Sequence, residues 1–520
     1  MSKKLAVVIS GAVSLGSYEA GVMYEVLEAI ARHNETLPKD DDSRIEIDVI
    51  TGASAGGMTA CILAQNLLYD DGTLRKPYEN SLYKAWVQKV DIVPLLKVQK
   101  DDLKESLFQK TVVEEIANDL LLDVENPYGK KHDAASSEIQ IGVAMSNLNG
   151  FSYEIKTTRE DTFNYTRFKD QFVCSVRREE TSGKAILKEK LYQKKTWQDF
   201  RSTTWAELKD AGISSGAFPF AFPMRSIYRK GAGNFSQRDS KNKNEKNPDP
   251  IHEGRYLYTD GGVFENEPLG MAKSLIDHNQ EKPEDRYFLL VKPGSRKASK
   301  DPFYNQNPNL LTIALALFGA ISQQAQFQDW IMDDVNSKLL TITSNDNELI
   351  GDVFSAFSGF LEEKFRAYDY NIGRENARKR LTQEKILNFD PEEQGKMPLI
   401  EWKVDERKSV IGGQILKTWD EVKLPLSKLA KVVKDEKGKR KQLEELHRLM
   451  HEVEDAKRQA ICKQLKLRLD YMVDFVNEEY LDGYDNSVKK TVRNNIGKPL
   501  AKKGLGILLN IWLEKNILNP

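Results

Sequence analysis

The chain has few of the residues that would tie it to an oxidising compartment, a membrane interior or a polyanion. Only three of its 520 residues are cysteine: Cys61, Cys174 and Cys462. They are odd in number, far apart and without metal-ligand spacing. That excludes a disulfide framework and a cysteine-based zinc site, and reads as buried or free thiols in a reducing compartment. No apolar run reaches the ~20 residues a spanning helix needs; the longest is Leu310 to Ile321. The N-terminal MSKKLAVVISG has too short an apolar stretch for a signal-peptide core. Neither charge is in excess: 77 basic and 78 acidic residues leave a net charge of -1. Nothing global therefore draws the chain to nucleic acid or an anionic membrane, and any electrostatic partner site is a local patch. We expect a cytoplasmic protein that is free to touch a membrane surface peripherally. Nothing in the sequence names a protein partner.

What is present has the composition of an ordinary globular chain, with 40% hydrophobic and 30% charged residues. At about 150 residues per domain, the length suggests two to four domains or one large elaborated core. Lys4–Ile9 (KLAVVI) reads as a strand. A Gly/Ser-rich turn follows, then helical spacing from Tyr18 to Ala31 with Val22, Val26, Leu27 and Ile30 on one face. Ile45–Ile50 is a second strand and Met58–Leu68 a second helix. This β-turn-α unit, used twice, begins a doubly wound α/β sheet. Further strands are expected at Glu138–Asn147, Arg255–Asp260 and Tyr287–Gly294. Lys230–Gly254 is nearly devoid of apolar side chains and reads as a mobile surface insertion. From about Ser299 the alternation fades into helical patterns. Lys431–Asp470 reads as a solvated amphipathic helix docked on the core, with a partner-binding coiled coil as the other reading. Leu500–Leu518 reads as a terminal helix docked on the core, or one lying in a lipid interface. There is no internal repeat.

The chemistry is concentrated around one serine. Gly52-Ala53-Ser54-Ala55-Gly56 fits G-x-S-x-G between a predicted strand and a predicted helix, the setting of a nucleophile elbow. Small residues two positions away let the turn close, and the following helix aims its N-terminal N–H groups at the reaction centre. The competing reading is a tight turn whose serine merely caps the helix. A serine nucleophile also needs oxyanion donors and a base. The first β-α turn, Ser10 to Ser17, presents several backbone N–H groups. It is otherwise a plain turn, or a phosphate cradle, but Ser17 and Tyr18 stand where a P-loop has Lys and Ser/Thr. None of the six histidines has a triad-like neighbourhood. Asp260, at a strand end before Gly261 and Gly262, is the better base by position, although D-G-G alone is more often a turn.

These three pieces, in this order, resemble the patatin-like phospholipase family. The resemblance spans roughly Lys4 to Gly294. It implies a three-layer α/β/α fold and a Ser-Asp dyad without histidine, with Ser54 as nucleophile and Asp260 as its base. Gly11, Ala12 and Val13 occupy the oxyanion-loop positions, and Gly16 and Gly21 match later glycines of that motif. Ala55 N–H is a further oxyanion donor, and Gly52 and Gly56 are the elbow glycines. Ala211–Pro223, Asn266 and Pro268 are similar to the family's intervening and following segments, and Phe365–Ala377 to a helix of its large bacterial members. Ala12 and Val13 replace frequent glycines, and Leu15 replaces a frequent cation. The expected protein is therefore a lipid acyl-ester hydrolase needing no metal or cofactor. Its catalytic domain covers 1–298, with a mainly helical region over 299–520. Two other classes stay open: a silent lipid- or protein-binding scaffold of the same fold, and a Ser-Asp-His hydrolase using His252 or His278.

Overall fold

The computed structural model describes residues 2–98, 106–123, 128–156, 162–193, 196–219, 221–229, 253–276, 286–294, 338–345, 348, 349, 351 and 358–383. It also describes 408–411, 414–418 and scattered positions from 456 to 468. The expected insertion at 230–254 lies almost wholly outside these residues. The apolar run at 310–321, the C-terminal stretch 500–518, His252 and His278 lie outside them entirely, as does most of 431–470.

Strand β1 (Lys3–Ile9) is apolar without alternation because both of its faces are covered. Leu5, Val7 and Ile9 enter one core cluster, and Ala6 and Val8 enter another on the opposite side. β1 pairs in parallel with β2 (Ile45–Gly52), and β2 in parallel with β3 (Ala135–Lys156). Outward from β3 the sheet becomes an antiparallel meander of β4 (Thr162–Arg178), β5 (Ala185–Gln193) and β6 (Thr196–Ser202). β7 (Arg225–Arg229) pairs with β8 (Gly254–Asp260), and β8 lies antiparallel on the outer part of β3. On the far side of β1, β9 (Arg286–Lys292) and then β10 (Leu339–Thr343) continue the parallel half. A short hairpin pairs β11 (Lys408–Ile411) with β12 (Gln414–Thr418) outside this sheet.

One face of the sheet carries α1 (Gly16–Glu35), α2 (Ala55–Leu68) and α6 (Trp205–Ser215). The other carries α7 (Leu269–Ile276), whose Leu269, Met271, Ala272 and Leu275 pack on Ala6 and Val8. This is the expected three-layer α/β/α arrangement. Between α2 and β3 the chain builds four short pieces over the edge of the first layer. They are α3 (Ser81–Tyr83), a π-helical turn (Lys84–Lys89), α4 (Ile92–Leu96) and α5 (Lys110–Leu120).

α1 is buried almost all round, where an amphipathic helix was expected. The cause is α8 (Glu363–Gln383), which covers its outer side. A Cβ at Gly21 would stand 1.9 Å from the carbonyl oxygen of Tyr370, so the two backbones touch and glycine is required. Beside this crossing, Arg374 and Arg378 donate to Glu25 at 2.7 and 2.6 Å, and Arg374 lies over the rings of Tyr24 and Tyr78. Removing Glu25 alone would strand two buried guanidinium groups, at a cost of about 3–5 kcal/mol. The chain beyond Ser299 thus completes the central layers: β10 extends the sheet and α8 seals α1.

Candidate active site

The turn from β2 into α2 is as sharp as its small residues suggest. A Cβ on Gly52 would lie 2.2 Å from the Gly56 carbonyl oxygen, and one on Gly56 would lie 2.4 Å from that of Ile9. Between them Ser54 takes φ 53° and ψ −127°, the one positive φ among the described non-glycine residues. Such a conformation costs of order 1–3 kcal/mol and persists only when its surroundings enforce it. The hydroxyl makes no capping bond to α2, so the helix-cap reading of Ser54 does not hold. Instead, Ser54 Oγ donates to Asp260 Oδ2 at 2.6 Å, across 206 positions of sequence.

Asp260 closes β8 opposite Met145 of β3. Its Oδ1 accepts from Gly262 N–H at 2.7 Å and caps the single 3-10 turn Gly261–Val263. The D-G-G segment is therefore a turn and also a presenter of a carboxylate, one oxygen for each task. Its main chain is fixed as well: Asp260 N–H donates to Ala217 O at 3.0 Å, and Ser146 Oγ donates to Asp260 O at 2.7 Å. Asp260 is buried. Burial raises its pKa from 3.8 to about 7, while the bonds from Ser54 and Gly262 pull in the opposite direction.

The oxyanion loop departs from expectation at one residue. Gly11 N–H donates to Asn266 O at 2.8 Å and is not free to meet an oxyanion. The physical reason is the path of the Asn266 loop, whose side chain fills the place a Gly11 Cβ would take. Gly11 serves close approach there. Ala12 and Val13 N–H have no main-chain acceptor among the described residues. Ala55, as the first residue of α2, has no intrahelical acceptor for its own N–H. Val13, Ser54 and Ala55 line the same cavity. Leu15, in the place of a cation, is buried in the core. Ser14 Oγ accepts from Gly359 N–H at 3.1 Å and anchors the loop's far side.

Ser215 escaped the reading of the sequence. Its Oγ accepts from Ser54 N–H at 2.9 Å, so the last turn of α6 holds the elbow from below. The signal available was the small-residue run around Ser214 and Ser215, but no spacing connects it to Ser54.

Ser54 opens into a cavity lined almost wholly by apolar side chains. Met58, Cys61 and Ile62 of α2 and Gly212, Ile213 and Gly216 of α6 line it together, with Gly212 packed on Cys61 and Gly216 on Met58. Trp86, on the π-helical turn, Phe360, and Val113, Ile116 and Ala117 of α5 complete the lining. The Trp86 indole N–H is satisfied by Thr59 Oγ1 at 2.9 Å. Apart from Ser54 and Lys209 the lining carries no hydroxyl or charged side chain, so the space suits a hydrocarbon chain. Cys61 and Cys174 are free and buried. Among the described residues no helix is long and apolar enough to cross a membrane, and no three His, Cys, Asp or Glu side chains gather to hold a metal ion.

Residues 7–273 match the family model described as Patatin-like phospholipase. Uncharacterized protein y4iI of Sinorhizobium fredii is 23% identical over an alignment of 454 residues that covers 72% of this chain and 63% of that protein. The chain thus spans less than two thirds of that relative's length. The crystal structure of VipD from Legionella pneumophila aligns over 98% of this chain and 86% of its own, at 11% identity and a TM-score of 0.23. That score does not establish a common overall shape.

Proposed function

Since the chain belongs to the patatin-like phospholipase family, we propose that it hydrolyses lipid acyl esters with Ser54 as nucleophile and Asp260 as general base. The observation that carries this reading is the 2.6 Å hydrogen bond from Ser54 Oγ to Asp260 Oδ2 at the end of an apolar cavity. A carboxylate at that distance, with a pKa of about 7, is matched to accepting a proton at neutral pH.

The acyl chain lies in the cavity and the ester carbonyl rests over Ser54. Oγ attacks the carbonyl carbon while its proton passes to Asp260 Oδ2. The tetrahedral oxyanion faces Ala55 N–H at the start of α2 and the N–H groups of Ala12 and Val13. Each such donor is worth about 2.7–4 kcal/mol in the transition state. On collapse, the proton moves from Asp260 to the leaving alkoxide oxygen, the C–O bond breaks and the acyl group stays on Ser54. A water molecule then gives its proton to Asp260 and its oxygen to the acyl carbon. Return of the proton to Oγ frees the fatty acid.

The test is fatty-acid release from phospholipid and from soluble esters, together with covalent labelling by a fluorophosphonate. Ser54→Ala and Asp260→Asn are expected to lose release, and Ser54→Ala to lose the label. Undiminished release in both variants would reject the dyad. His252→Ala and His278→Ala are expected to keep activity, and a large loss in either would favour a triad.

A further inference from the structure

We infer that α5 is the movable roof of the acyl cavity, and that its apolar face engages the surface of a neutral or zwitterionic lipid aggregate when it opens. This rests on the acyl-hydrolase reading and adds how the substrate reaches Ser54. The walls of the cavity differ in how firmly they are built. α2 and α6 carry Ser54 and Ser215 themselves, and most of their cavity-lining residues are buried in the core. α5 contributes Val113, Ile116 and Ala117 to the lining, yet not one of its 11 residues is buried. Its apolar residues Val112, Val113, Ile116 and Leu120 recur at helical spacing and pack on the core only partly covered. Glu115, Asn118 and Asp119 are exposed.

With α5 in place Ser54 is only 5% exposed, so a lipid ester must displace part of the wall. The two ends of α5 are anchored, by Gln109 N–H to Leu95 O at 2.8 Å before it and by the Gln65 amide to Leu122 after it, while along its length the ties are side-chain contacts. Lys89 Nζ meets Asp119 Oδ2 at 2.6 Å with the two side chains 37% and 59% exposed, Lys209 Nζ meets Asn118 Oδ1 at 2.6 Å, and Arg225 pairs with Glu114. The exposed Lys89–Asp119 pair holds weakly and exchanges readily for water, and the Arg225–Glu114 pair is only partly buried. Lifting α5 would uncover an apolar trough and an apolar helix face together, which water disfavours and a lipid surface accepts. The charge of α5 selects the surface. Lys110 stands against Glu114, Glu115 and Asp119, a net of −2 from one cation and three anions. An anionic surface would repel this helix, and a neutral or zwitterionic one would not.

The experiment follows hydrolysis by the full chain as diheptanoyl phosphatidylcholine is raised through its critical micelle concentration. The turnover rate is expected to break upward about tenfold at that concentration, the shift in the open population that a modest preference of the open form for lipid produces. The phosphatidylglycerol analogue is expected to give a smaller break. Lys89→Ala/Arg225→Ala, which cuts two surface ties, is expected to raise the sub-micellar rate and shrink the break. Smooth saturation through the critical concentration, an unchanged break in the double variant, or an equal response to the anionic lipid overturns the inference. Hydrolysis of p-nitrophenyl acetate, with Ser54→Ala as control, reports the chemistry separately. If that hydrolysis persists while no break appears, the roof alone falls; if it is absent throughout, the acyl-hydrolase reading falls with it.

Discussion

Asp260 Oδ2 accepts the Ser54 hydroxyl at 2.6 Å while Asp260 Oδ1 accepts Gly262 N–H at 2.7 Å, in a setting that excludes water from the carboxyl group. Both bonds favour the carboxylate, and burial opposes it more strongly, so the group titrates near neutrality instead of near 4.

A pH profile follows from that. The base works ionised, so kcat/KM should fall with unit slope below an apparent pKa of about 7. The effect on stability has the opposite sense. A folded-state pKa above the unfolded 3.8 means that the native protein binds the proton more tightly between about pH 4 and 7. Stability is therefore lost as pH rises through that window, by at most about 4 kcal/mol for this group. Asp260→Asn removes the titration. Its melting temperature should lie above that of wild type at pH 8 and converge with it only below about pH 4, as read by thermal melts across that range.

The strain at Ser54 gives a second prediction. At an ordinary turn, glycine is less stable than alanine by about 0.5–1 kcal/mol, because its unfolded chain is freer. At φ 53° the order should invert, since alanine keeps the Cβ that makes this backbone costly. Ser54→Gly is expected to be more stable than Ser54→Ala by about 1 kcal/mol in urea titrations, given a strain of about 1–3 kcal/mol. Both variants should be inactive. The usual order, alanine above glycine, would mean that the elbow is unstrained.

Ser215→Ala tests the support beneath the nucleophile. It leaves Ser54 N–H buried without its 2.9 Å acceptor, which costs about 1–3 kcal/mol of stability. It also frees the elbow to shift, and a displacement of about 1 Å at a reacting group lowers turnover about 100-fold. Steady-state kinetics should show the loss in kcat, with KM little changed, because Ser215 touches the elbow and the acyl chain does not depend on it.

How far these features can be read from the sequence depends on the range of the forces behind them. β1 and β2 are legible because a parallel strand buried on both faces needs an unbroken apolar run, as in Leu5–Ile9 and Val49–Ile50. The elbow is legible because sterics within five residues demand Gly52 and Gly56. Asp260 is legible as a strand end before two glycines. β4 to β7 are not, since their buried partners include Asp170, Glu189 and Arg229, charges that local pattern assigns to the surface. The all-round burial of α1 depends on α8, more than 300 residues away. Gly11 stands at an oxyanion-loop position by its resemblance to the family's motif, but the direction of its N–H is set by the Asn266 loop. The cavity has no sequence signature at all, because its wall is assembled from six separated segments.

Gly212 joins that cavity to substrate choice. It lies in the middle of α6, facing Cys61 Sγ of α2, which a Cβ at position 212 would approach to 3.0 Å. A longer side chain has no room toward α2 and must project into the cavity. Gly212→Leu should fold well, since replacing a mid-helix glycine by leucine improves helix propensity by nearly 1 kcal/mol. The added side chain would displace three or four methylenes of a bound acyl chain, each worth about 0.8 kcal/mol. Esters long enough to pass Gly212 should therefore lose about 2–3 kcal/mol in kcat/KM, roughly 100-fold, while p-nitrophenyl acetate, which stops short of it, keeps its rate. A series of p-nitrophenyl esters from acetate to palmitate reads this directly. A uniform loss at every length would place the acyl chain elsewhere, and a loss confined to the longer esters would place it along α6.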